Sequence, residues 1–321
     1  MNVQKTSKTM ASFLDQIKLQ YKNGSMNLKL IMINVGVFIV TLLLMVIFKL
    51  LSINFSILDY VQAPSDFSTL LVMPWTVITY NFVHSLGGIG HLFWNMLILY
   101  FAGNLFEQTL GSRKLLSTYL IGGIAGFLLF TLGYNFLPAL ITPDRNEVLI
   151  GASASITAIF VAIGIYMPNY QIRLLFIPQS FKLIHVVAFF VLLDFIRLQS
   201  SIGVDNANTG GWLAHIGGAI FGFIYANQLK RGKNINKWVE SIIDKIATLF
   251  KRSPSKLKVK YKRSSSKSGD TTPPRDDYEY NENKAYTQEQ IDAILDKISK
   301  SGYDSLTKKE KDFLFNQSNR R

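Results

Sequence analysis

The sequence predicts an all-α polytopic membrane protein, a six-transmembrane-helix bundle followed by a polar cytoplasmic tail. Three observations carry that fold class. Hydrophobic residues make up 49% of the 321-residue chain, at a mean hydropathy of +0.21, although the formal net charge is +13. The charge is segregated: 22 of the 34 basic and 13 of the 21 acidic residues fall within 230–321, leaving a net charge of +4 on everything before them. No segment alternates apolar and polar residues over the roughly ten positions of a spanning β-strand, which argues against a barrel. The absence of cysteine excludes disulfides, thiolate metal sites and a cysteine nucleophile, and the four histidines are His84, His91, His185 and His215.

A bilayer core takes about 20 mainly apolar residues per helix. After an N-terminal segment (1–27), six stretches qualify, at 28–51, 88–107, 113–136, 150–167, 181–198 and 209–229. The first contains the run 41–48, too deep in the chain and too long for a cleaved signal peptide. The fifth is the most polar at its margins, with Lys182 and Asp194. Loop charge sets the orientation. The 52–87 connection has no Lys or Arg and 137–149 has only Arg145. Lys5, Lys8, Lys18 and Lys22 precede the first stretch, Arg113 and Lys114 separate the second from the third, and Arg173 and Lys182 separate the fourth from the fifth. Every second loop is basic, so both termini are expected in the cytoplasm.

Behind the membrane domain (28–229), the apolar residues of 235–250 (Ile235, Trp238, Val239, Ile242, Ile243, Ile246, Leu249 and Phe250) form one helical stripe. Directly after the last span, this reads as a helix lying on the inner membrane surface. Residues 230–267 hold 13 basic and 2 acidic residues, which points to anionic lipid headgroups as a partner rather than nucleic acid. Residues 268–286 read as a disordered linker. Residues 287–321 regain order: Thr287 and Gln290 form a capping box, Gly302 ends that helix, and Thr307 with Glu310 caps a second one ending near Phe315.

With six spans and both termini inside, stretches two, four and six all run from the outer face inwards. His91, Ser153 and His215 each fall about three to six residues into these stretches, hence at one layer roughly 5–10 Å deep. Ionisable groups there are costly and mark function by default. His91 and Asn95 are four apart and share a helix face. Ser153 lies in GASAS (151–155), and His215 precedes Gly218 and Gly222, a spacing suited to close helix contact. If stretches four and six touch there, Ser153 and His215 become neighbours, and a neutral imidazole can activate the hydroxyl. His91, Asn95 and the Ser153 amide could then hold a developing oxyanion. No Asp or Glu is read at that depth, which favours a Ser–His dyad over a triad. Ser155 points some 200° away around the helix. Read singly, each residue also has a structural use: a serine bonding its own backbone, small residues packing helices, a histidine holding a hydrogen bond.

Together the motifs resemble the rhomboid intramembrane serine proteases, with His91–Asn95, Gly151–Ala152–Ser153–Ala154 and His215 in the family's order over residues 30–228. The flanks 75–85 and 102–116, with Glu107 and Gly111, are similar as well. The resemblance implies a rhomboid-like bundle that hydrolyses a peptide bond in or near a substrate's transmembrane helix. Ser153 would be the nucleophile and His215 the base, with His91, Asn95 and the Ser153 amide on the oxyanion. It further implies that the 52–87 loop packs beside the core in the outer leaflet and that the fifth helix moves to admit substrate. Three positions depart from the family. Ala154 replaces a glycine, Thr76 stands where an arginine is usual, and Thr157 replaces an aromatic ring that stacks on the histidine. His84 is read as structural or as a contributor to hydration, and His185 as an ordinary helix residue.

The expected function is thus a serine endopeptidase acting on transmembrane protein substrates, without cofactor or metal. The expected location is a multi-pass membrane, a bacterial inner membrane by the compactness of the core. The alternatives are a catalytically weak rhomboid-like adaptor that binds transmembrane helices, which Thr157 keeps open, and a proton-coupled transporter using His91 and His215. The transporter predicts internal repeats, and the two halves show none.

Overall fold

The computed structural model describes residues 15–87, 89–141, 147–173, 178–204, 208–250 and 277–318. The chain divides into two compact units, Met1–Arg252 and Ser253–Arg321. The first is an all-α bundle of α1 (Met26–Leu50), α2 (Ile89–Leu110), α3 (Ser112–Phe136), α4 (Ser153–Tyr166), α5 (Leu183–Ser201) and α6 (Thr209–Lys230), followed by α7 (Lys237–Phe250). Each of the six expected stretches is helical. Four of them, α1, α2, α3 and α5, are long and apolar enough to cross a membrane by length and composition. Helix α4 is apolar but shorter, with 14 residues, and α6 is long but broken up by five glycines and by His215.

The ends of the helices are tied by specific bonds. Ser25 caps α1 by accepting the Leu28 N–H at 3.2 Å. Glu107, near the end of α2, accepts the N–H groups of Met26 and Asn27, both at 2.8 Å, and the Ser112 hydroxyl at 2.6 Å. One carboxylate thus satisfies the orphan donors of α1 and joins it to the α2–α3 corner. Gly111 turns that corner at φ +93°, a conformation costly for any side chain.

Helix α4 is the centre of the bundle. Ala154, Ile156, Ala158, Ile159, Val161, Ala162 and Ile163 are all buried, and small residues let α3 and α6 come close on either side. A Cβ added at Gly218 or Gly222 of α6 would collide with the backbone carbonyls of Ala154 and Ala158, so these two helices touch backbone to backbone. On α3, Gly126 faces both the Ala154 methyl and the Ala214 carbonyl. The outer helices carry the lipid-facing surface, with Val40, Leu43 and Ile47 on α1 and Phe189, Leu192 and Ile196 on α5 all exposed.

The long first loop is held on the bundle rather than free. Its strand β1 (Ala63–Pro64) pairs antiparallel with β2 (Val148–Leu149), Ala63 opposite Leu149. Tyr80, fully buried, donates its hydroxyl to the Gly123 carbonyl at 2.6 Å, and Tyr119 donates to the Asn81 carbonyl at 2.7 Å. Thr76, where an arginine is expected, is also buried and donates to the Met73 carbonyl at 2.7 Å, closing its own turn.

The segment entering α7, and α7 itself, pack against the start of α3. The Asn236 amide, buried, donates to Ser117 Oγ at 3.3 Å, Val239 is buried, and Arg113 pairs with Asp244 at 3.2 Å. Ile235, Trp238, Ile242, Ile246 and Leu249 form an exposed apolar stripe along the other side.

The second unit contains α8 (Asp277–Ser301) and α9 (Lys308–Ser318). Helix α8 starts ten residues before the Thr287–Gln290 box and runs through part of the expected linker. Residues 277–286 lack Pro and Gly and include Glu279, Glu282, Lys284 and Ala285, so nothing in them stops a helix. The rest of the linker, and most of the basic run that precedes it, lies outside the described residues. Gly302 ends α8 at φ +77°, and the Thr307–Glu310 box forms: the carboxylate accepts the Thr307 N–H at 2.7 Å, and the Glu310 N–H donates to Thr307 Oγ1 at 3.4 Å.

Candidate active site

Ser153 is the first residue of α4, not several residues inside it. The helix cannot start earlier because Gly151, at φ +118°, turns the chain from β2 into α4. Its N–H donates to the Tyr80 carbonyl at 3.0 Å, so the first loop helps to hold this turn. A Cβ on Gly151 would lie 2.8 Å from His91 Cε1 and 3.9 Å from Ser153 Oγ. The His91 ring and the Ser153 hydroxyl thus both border the bare side of Gly151. As the first helical residue, Ser153 also presents its amide among the unpaired N–H groups at the positive end of α4.

Helix α2 supplies the next two groups. His91 and Asn95 sit one turn apart on it, and Asn95 is buried, yet its amide nitrogen has no hydrogen-bond partner among the described residues. An unpaired buried donor costs about 1–3 kcal/mol. His84 packs on His91 with ring centroids 5.4 Å apart and is fully buried. Burial first, and the His91 charge second, push its pKa down to about 4, so it stays neutral at physiological pH.

His215 lies on α6. No hydrogen bond joins it to Ser153 among the described residues. Its Nδ1 is instead 3.1 Å from the Asp194 carboxylate of α5, both side chains being mostly buried. The expectation that no carboxylate shares this layer is thus corrected. Helix α5 runs the opposite way to α6, so Asp194 must be counted back from Ser201. Seven residues from that end place it about 10 Å deep, and six from Thr209 place His215 at about 9 Å. Trp212 stands perpendicular to the His215 ring at 5.3 Å between centroids, with the Arg197 guanidinium 4.9 Å from the indole centroid.

The remaining singled-out residues separate cleanly. Thr157 is partly exposed on the same side of α4 as Ser153 and offers no ring, whereas Trp212 does. Ser155 is fully buried and donates to Asn81 Oδ1 at 2.8 Å, which occupies its hydroxyl. Ala154 directs its methyl at Gly126, filling the space that its glycine counterpart leaves. His185 is exposed near the start of α5. Among the described residues no group of three His, Asp or Glu side chains could hold a metal ion.

Parts of the sequence are similar to known proteins. A family of unknown function (DUF6576) matches residues 276–320. RHOMBOID-like protein 12, mitochondrial, of Arabidopsis thaliana is 29% identical over 168 residues, covering 49% of this chain and 47% of the relative. RHOMBOID-like protein 4 of the same plant is 32% identical over 152 residues, covering 47% of this chain and 32% of the relative. The chain spans less than half the length of these curated relatives. Residues 72–231, which contain every group described above, match the family described as Rhomboid domain, and the chain belongs to the rhomboid family of integral membrane proteins.

Proposed function

We propose that the chain is an intramembrane serine endopeptidase that cleaves transmembrane substrates near the outer membrane face. The observation that carries this reading is the convergence at the start of α4. The His91 ring and Ser153 Oγ both come within 4 Å of the bare side of Gly151, Ser153 opens α4, Asn95 holds a donor without a partner among the described residues, and α6, which carries His215, packs backbone to backbone on α4. Ser153 Oγ attacks the scissile carbonyl carbon while its proton passes to His215. The carbonyl oxygen becomes an oxyanion facing Asn95, His91 and the Ser153 amide. The C–N bond then breaks, the proton moves from His215 to the leaving amine, and water releases the acyl group by the reverse sequence. Ser153 and His215 close into a hydrogen bond when substrate is bound, as catalytic contacts that are loose in the free enzyme commonly do.

Both ends of the six-helix core face the basic side of the membrane in this reading. The relatives are plant proteins, one mitochondrial by its name, and lend no support to a bacterial inner membrane. The test is to purify the protein with a transmembrane substrate carrying small residues near its outer end, and to compare wild type with Ser153→Ala and His215→Ala. Cleavage is expected from wild type alone, and persistence in Ser153→Ala would refute the assignment. A fluorophosphonate probe should label Ser153. Because the chain has no cysteine, one introduced in the 137–149 loop reports orientation with an impermeant reagent free of background.

A further inference from the structure

We propose that Asp194 is a positioning residue for His215, so that the Ser–His pair works as a Ser153–His215–Asp194 array. This rests on the serine-protease reading above. Three observations support it. The Asp194 carboxylate is 3.1 Å from His215 Nδ1, with the side chains only 14% and 16% exposed. Arg197 lies one turn from Asp194 on the same helix, the natural partner for a carboxylate in a membrane helix. Among the described residues Asp194 is nevertheless paired with His215, while Arg197 covers Trp212. Trp212 in turn stands at 90° to the His215 ring. A carboxylate within a membrane helix is costly to insert, and here it is set against one imidazole nitrogen.

The chemistry of the contact fixes the rest. An ionised carboxylate only accepts hydrogen bonds, so the proton of a neutral His215 sits on Nδ1 and the lone pair on Nε2. That is the tautomer able to take the Ser153 proton. During attack the Oγ–H bond breaks, the new Nε2–H bond makes an imidazolium, and the Asp194 charge balances it without itself gaining a proton. On C–N scission the Nε2 proton leaves with the amine and the ring returns to its starting form. The ring is thus held at Nδ1 by Asp194 and flanked by Trp212. Trp212 stands in for the aromatic side chain that Thr157 lacks.

The experiment uses the full-length protein labelled with 15N-histidine, whose spectrum holds only four side chains. The wild type should show His215 as the Nδ1–H tautomer; an Nε2–H tautomer there overturns the proposal without any variant having to fold. Asp194→Asn keeps the shape but can turn its amide N–H towards the ring and hold the opposite tautomer. It should lower kcat by roughly 10²–10⁴-fold with KM unchanged, slow fluorophosphonate labelling of Ser153 in parallel, and shift the His215 signals but not those of His185. Wild-type kcat in Asp194→Asn, or a fall in kcat with labelling of Ser153 unchanged, rejects the positioning role and leaves the protease reading standing. A wild type that neither cleaves nor labels at Ser153 rejects the protease reading instead, and the tautomer measurement still reports on the Asp194 contact.

Discussion

Gly126→Ala is the sharpest test of the packing that holds the site. Gly126 lies on α3 where both α4 and α6 pass it. A Cβ there would sit 2.5 Å from the Ala154 methyl and 2.8 Å from the Ala214 carbonyl oxygen. Ala154 follows Ser153 and Ala214 precedes His215, so the added methyl presses on both halves of the pair. Carbon–carbon contacts relax to about 3.5–4.0 Å, which requires α4, α6 or both to yield by about 1 Å. Both alanines are buried and one contact is with backbone, so no rotamer change takes up the strain. Overpacking of this kind costs about 1–3 kcal/mol. Alanine's better helix propensity returns up to about 1 kcal/mol, so the loss of thermal stability is modest. Activity is the stronger readout, because a displacement of about 1 Å between reacting groups costs on the order of 10²-fold. The assay compares the rate of Ser153 labelling and of substrate cleavage in Gly126→Ala with Gly36→Ala, a helical glycine of α1 with nothing within 4 Å of a new Cβ. Gly36→Ala should match wild type. Wild-type labelling by Gly126→Ala would refute the claim that α3 sets the Ser153–His215 spacing.

Three other outcomes follow from the same contacts. Asn95→Ala removes a donor with no partner among the described residues, so kcat should fall by about 10²–10³-fold while the melting temperature barely moves. A large stability loss with kcat retained would make Asn95 structural. Ser155→Ala strands the Asn81 side-chain amide oxygen in the core and should cost about 1–3 kcal/mol in thermal unfolding, with Ser153 still labelled by fluorophosphonate. In the second unit, the Thr307 backbone N–H and then the Lys297 ammonium hold Glu310 down to a pKa of about 2, against an ordinary value of 4.5. Its capping contribution is therefore fully present above about pH 4.5 and lost as pH falls towards 2. Hydrogen exchange at the Thr307–Lys311 turn should accelerate across that window in wild type and show no such step in Glu310→Gln.

The six helices were legible because lipid exposure leaves an unambiguous mark: long apolar runs with basic residues in alternate loops. The His91–Asn95 pair and the Gly218–Gly222 face were legible for a related reason, since helical spacing converts directly into shared faces. Asp194 was not, although the necessary count was available. Its place near a polar margin of α5 marks it as peripheral, whereas depth in an antiparallel neighbour is measured from the opposite end. Trp212 carries no such mark, because a ring three residues before His215 on α6 is not adjacent to Thr157 in any pattern. The start of α4 at Ser153 depends on Gly151 and on the pairing of β2 with a strand some 85 residues earlier, which no local periodicity encodes. The early start of α8 shows the opposite error. A good capping box was read as a boundary, although the residues before it were equally able to be helical.

The shortness of α4 ties these points together. Fourteen residues cover about 21 Å, less than the roughly 30 Å of a hydrocarbon core, so in a spanning bundle this helix ends within the layer. Irregular backbone at that depth is tolerated only where protein or a polar cavity satisfies it. Here the first loop does so: the Tyr80 carbonyl takes the Gly151 N–H, β1 pairs with β2, and the Tyr80 hydroxyl anchors the loop to α3. The Ser153 amide and the Asn95 side chain are left as donors inside a layer otherwise poor in them. A helix that spanned the layer fully would have carried its first amides out into the headgroups. The small residues of α3 and α6 serve the same end, because only backbone-close neighbours can bury a helix too short to reach both surfaces. The polar layer is therefore a property of the packing as a whole, and the residues that build it include glycines far from the reacting atoms.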